Sequence, residues 1–186
     1  MIDYLTVMLV NLVAGLVTAA VFLIRGWFRR NNQHWATAFG LIGVVAAATG
    51  LHMTLTWPLG KPLGWANIAF GESALLLGAV FLGVAVSLGK GWKLWPVGLY
   101  SLPAGGFAIV AGLRILDLGR TKAPELSAAG FILAGLGGVL LLPVLLMPRQ
   151  RWLHYATAVV LLAAAGIWAL TGYASLWAHI ESFAGK

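Results

Sequence analysis

Three times the chain runs the same course: an apolar stretch of about bilayer length, a short basic turn carrying tryptophan, and a second apolar stretch going back. The turns read RGWFRR from Arg25, KGWKLW from Lys90 and PRQRW from Pro148. Basic residues and tryptophan collect where a chain leaves the hydrocarbon of a membrane, so the pattern predicts an all-α integral membrane protein with six transmembrane helices as three helical hairpins. A barrel is not expected, because the strand-like alternation of apolar and polar residues is missing. Overlaid on their turns, the returning segments open with Trp35, Trp95 and Trp152, a period of about sixty residues that leaves a pseudo-threefold repeat open.

Composition agrees. With 61% hydrophobic and 9% charged residues, a chain of 186 residues lacks the polar surface to cover a soluble globule. The net charge of +7 would point to nucleic acid in a soluble protein. Here the Lys and Arg sit between apolar stretches, so the expected partner is the lipid bilayer and no nucleic acid. With no cysteine, disulfides, thiolate ligands and iron–sulfur clusters are excluded. The expected spans are 4–24, 35–57, 66–88, 95–116, 126–147 and 152–173, followed by a short interfacial tail, 174–186, all in one membrane domain over 1–186. MIDYLTVML has an acid where a signal peptide would carry positive charge, so the first span is expected to be retained. The hairpin turns hold Arg25, Arg29, Arg30, Lys90, Lys93, Arg149 and Arg151, against Lys61, Arg120, Lys122 and Lys186 on the other face. That balance predicts cytoplasmic turns and extracytoplasmic termini in the plasma membrane of a prokaryote.

Ionisable groups inside spans cost roughly 2.5 to 3.5 kcal/mol each at mid-membrane, so their placement is the main functional signal. His52 near the end of span two, Glu72 near the start of span three and Arg114 near the end of span four fall within roughly 10 Å of the same, extracytoplasmic, surface. Asn11 and Asp117 lie on that side too, and Asn67 is expected to cap span three after the loop WPLGKPLGW that begins at Trp57. Glu72 and Arg114 would neutralise each other if their helices touch, and His52 has the chemistry to take a metal, a proton or a polar ligand. Met53 beside His52 invites copper, but helix neighbours point about 100° apart. Haem b would need axial ligands on facing helices; His34 and His154, in basic turns, read instead as solvated histidines. No phosphate-cradling glycine loop, nucleophile–base pair or zinc-protease motif is present, so an enzyme is not the first expectation.

The stretch GLHMTLTWPLGKPLGWANIAFGE (residues 50–72), followed by VAGLRILDLG (residues 110–119) and preceded by IDYLTVMLVNLVAGL near the start, resembles a family of bacterial and archaeal multispan proteins catalogued as domain of unknown function 981. The resemblance implies membrane residence over the whole chain and marks His52, Trp57, Pro58, Asn67, Glu72 and Arg114. It carries no activity. Three functions therefore stand at this stage: an extracytoplasmic His/Glu/Arg site for a small ligand, ion or proton in a transport-type role; a haem- or quinone-binding redox protein; or a non-catalytic subunit, in a homo-oligomer or larger membrane complex.

Overall fold

The computed structural model describes residues 5–28 and 31–184; Asp3, Tyr4, Arg29, Arg30 and Lys186, which entered the span and charge expectations, lie outside them. Six helices are long and apolar enough to cross a membrane: α1 Leu5–Gly26, α2 Trp35–Thr56, α3 Gly64–Lys90, α4 Trp95–Leu118, α5 Pro124–Leu146 and α6 Arg151–Ala184. In lipid each backbone polar group must be satisfied within its own segment, and the helix does this. The ends follow local chemistry. At the end of α3, Gly91 (φ +68°) lets the Trp92 N–H reach the Ser87 carbonyl at 2.8 Å and the Gly91 N–H reach Leu88 at 3.3 Å, a Schellman closure. Pro124 starts α5 at a position where the missing N–H costs nothing.

Each helix packs against its neighbours in chain order, and α6 closes on α1, giving a ring of six. Gly172 near the end of α6 abuts Leu9 near the start of α1, while Trp27 beyond α1 stacks on His154 near the start of α6, so both described ends lie together. We call this the terminal end, and the opposite one the basic end. The closest packing joins α2 to α3, α4 to α5 and α6 to α1, and not the pairs that the basic turns connect. Small residues make it so. Gly98, Gly105 and Gly112 recur at seven-residue spacing on α4 and face α5; a Cβ on Gly112 would sit 2.9 Å from the Ala128 carbonyl. Gly71 and Gly78 of α3 meet Met53 and Ala47 of α2 in the same manner. Between apolar helices in lipid, dispersion at short range replaces the hydrophobic effect, and glycine permits the short range.

Two expectations are corrected. The separate interfacial tail after Tyr173 is instead the continuation of α6 to Ala184, since no proline or left-handed glycine interrupts the helical ladder there. Asn67 does not cap α3, which begins at Gly64; it lies in a π-helical turn, Asn67–Glu72, with no capping bond from its side chain.

Candidate functional site

The residues singled out in the sequence occupy different environments. His52 is exposed on the outer surface of α2, whereas Met53 beside it is fully buried, so the two cannot share an ion. Among the described residues no group of three His, Asp or Glu side chains is arranged to hold a metal. Glu72 is half-buried at the end of the π turn. Arg114 pairs through Nη1 with Asp117 one turn along its own helix, both side chains about two-thirds exposed (66% and 64%), and no ion pair joins it to Glu72. Asn11 donates from Nδ2 to the Ile42 carbonyl at 3.1 Å, tying α1 to α2. Asn67, fully buried, accepts the Leu59 N–H at 3.4 Å and so anchors the loop between α2 and α3. Trp57 ends α2 in the left-handed region (φ +47°), with its ring against Gly64.

What the ring brings together is its axis. A cavity of about 150 Å³ runs between residues of all six helices, with walls that are nearly all aliphatic or aromatic. Two aromatic clusters bound it. Toward the terminal end Trp168 stands edge-on to Phe131 at 5.1 Å and to Phe70 at 6.1 Å. Toward the basic end Phe39 packs on Phe22 at 5.5 Å and on Phe81 at 5.6 Å. A cavity of this volume has room for a molecule the size of benzene.

A few of the lining residues are polar. Ser101 is satisfied, its hydroxyl 2.8 Å from both the Gly98 and the Gly138 carbonyl, where it donates to one at a time. Ser73, Thr157 and Trp168 also line the cavity, and their side-chain hydroxyls and indole N–H are buried and have no hydrogen-bond partner among the described residues. Leaving such a group buried and unpaired costs about 1 to 3 kcal/mol.

One turn from Thr157, toward the basic end, His154 is fully buried and not solvated, correcting the expectation for that residue. Its ring packs against Trp27 (5.5 Å) and Phe28 (5.2 Å), which the π-helical turn Phe22–Gly26 carries over it. Nδ1 lies 3.1 Å from the Gln150 carbonyl, which can only accept, so Nδ1 carries a proton toward it. Among the described residues Nε2 has no hydrogen-bond partner, and neither have the buried Trp35 N–H and Asn32 Oδ1 at the same end. The missed signal was helical spacing: Leu153, His154, Thr157, Ala158, Leu161, Ala164, Ala165 and Trp168 form one buried stripe at steps of three and four.

No curated protein and no solved structure matches the chain. The family described as "Protein of unknown function (DUF981)" matches residues 1–182, nearly the whole length, including the His52–Glu72 and Arg114 segments. The chain, with its six helices long and apolar enough to cross a membrane, thus belongs to this uncharacterised family.

Proposed function

We propose that the protein is a multi-pass membrane protein that binds a small, largely apolar molecule with one or two hydrogen-bonding groups in its axial cavity and exchanges it with the membrane, a transport-type role. The observation that carries this reading is the axial cavity of about 150 Å³, lined by Ser73, Thr157 and Trp168, whose side-chain polar atoms are buried and have no hydrogen-bond partner among the described residues. A benzene-sized ring or a short chain suits that volume; a porphyrin is several times too large, which weighs against the haem reading. The wall contains no charged side chain, which weighs against an ion path along the axis. We place the basic turns in the cytoplasm and both ends outside, on the excess of Lys and Arg in the turns. A threefold repetition of one hairpin would account for the three equivalent close pairs, and the reading includes it.

The test uses protein in detergent with benzene and phenol as probes, and an Ala104→Leu variant, which fills the cavity, as the control for partitioning into micelles. Phenol should raise the melting temperature of the wild type more than benzene, and neither should act on Ala104→Leu. Thr157→Val should remove the preference for phenol while leaving the protein folded. Equal responses of wild type and Ala104→Leu would leave the cavity a packing void and favour the subunit reading.

A further inference from the structure

A second, separate concavity opens on the lipid-facing surface between α3 and α4, one of the two loosest joints of the ring. Toward the basic end these helices come close, and a Cβ on Gly83 would lie 3.3 Å from the Val97 side chain. Between the start of α3 and the end of α4 a groove of about 280 Å³ remains, nearly twice the axial cavity. Its floor is apolar, with Ile68, Phe107, Val110 and Leu118, and its rim holds two guanidinium groups, those of Arg114 and Arg120.

The arginines are positioned by local structure. Arg114 precedes the last residue of α4 by four positions, about 6 Å along the axis, a depth suited to the boundary of hydrocarbon and headgroups. Gly119 (φ +57°) then folds the chain back: its N–H bonds to Leu116 at 3.3 Å and that of Arg120 to Ile115 at 3.4 Å, so Arg120 returns over the groove. Val110 and Phe107 lie about 6 and 10 Å deeper than Arg114. An occupant therefore meets an apolar channel below and positive charge above. Asp117 offsets one of the two charges, through Nη1 of Arg114 alone, which leaves a net +1 and most of the guanidinium donors unused.

We propose that this groove binds one membrane phospholipid of net negative charge, its phosphate held by Arg114 and Arg120 and one acyl chain lying against Ile68, Phe107 and Val110. A phosphodiester matches the fork of a guanidinium and neutralises the remaining charge, whereas a zwitterionic headgroup brings its own cation into the site.

Native mass spectrometry of the purified protein reads the outcome, with dioleoyl phosphatidylglycerol, dioleoyl phosphatidylcholine and inorganic phosphate as probes. One phosphatidylglycerol should bind about tenfold more tightly than phosphatidylcholine, corresponding to about 1.4 kcal/mol for the charge-assisted contacts. Arg114→Gln/Arg120→Gln should erase the preference. Val110→Trp, at a residue already two-thirds exposed (66%), should weaken both lipids without a folding penalty. Free phosphate at millimolar concentration should not displace the lipid; displacement would mean that the arginines form a phosphate site without an acyl requirement. Equal binding of the two lipids, or an unchanged preference in the double glutamine variant, overturns the proposal. None of these results depends on the axial cavity being a ligand site.

Discussion

Gly105 and Gly106 are consecutive on α4, yet adding a methyl group to each poses opposite problems. A Cβ on Gly105 would collide with the Gly135 carbonyl and lie 2.8 Å from the Val139 amide nitrogen; on Gly106 it would meet nothing within 4 Å. Ordinary contact begins near 3.4 Å, so Gly105→Ala must push α4 and α5 apart by at least 0.6 Å (3.4 − 2.8). Because the obstructing atoms are backbone, no rotamer change relieves the clash, and a radial gap of that size forfeits roughly a quarter to a half of each dispersion contact along the pair. Overpacking of this kind costs about 1 to 3 kcal/mol. Both substitutions share the helix-propensity gain of about 0.5 to 1 kcal/mol for Gly→Ala, which cancels in their difference. The expected difference, measured by reversible unfolding in mixed detergent, is therefore about 1 to 3 kcal/mol, with Gly105→Ala the less stable. If the two variants agreed within about 0.5 kcal/mol, α4 and α5 would not approach as closely as the glycine stripe implies.

The loose seam offers a cleaner test because the chain has no cysteine: a Cβ on Gly83 would lie 3.9 Å from that of Val97, so a Gly83→Cys/Val97→Cys pair should oxidise spontaneously, and a free-thiol assay showing two reactive thiols would contradict the seam. Double-mutant cycles should find Arg114 coupled to Asp117 by less than about 1 kcal/mol, as the pair is well exposed, and Glu72→Gln additive with either; strong coupling of Glu72 to Arg114 would restore the pairing first expected. Thr157→Val, removing a buried hydroxyl without a partner, should leave stability unchanged or raise it by about 1 kcal/mol, and a clear loss in thermal unfolding would mean that the hydroxyl is satisfied. A reporter that works only outside the cytoplasm should be active when fused after Lys186; activity of a cytoplasmic reporter there would invert the orientation.

Membrane residence, the six spans and most of their limits were legible without coordinates, because bilayer thickness sets helix length and the cost of charge in hydrocarbon sets where Lys and Arg stand. Two of the expected residues, Asn11 and Asn67, turn out to carry contacts between elements. Which helix faces join was not legible. A span surrounded by lipid is apolar on all sides, so its polarity does not say which side turns inward, as it would for a helix bordering water. Closure of α6 on α1, the axial cavity and the pairing of Arg114 with Asp117 rather than Glu72 were decided by packing alone. His154 shows the difference in one residue: by position in the chain it belongs to a wet basic turn, but the π-helical turn of α1 lays Trp27 and Phe28 over it and removes it from solvent. Local sequence governs where a span ends; burial at that end depends on which distant segment folds across it.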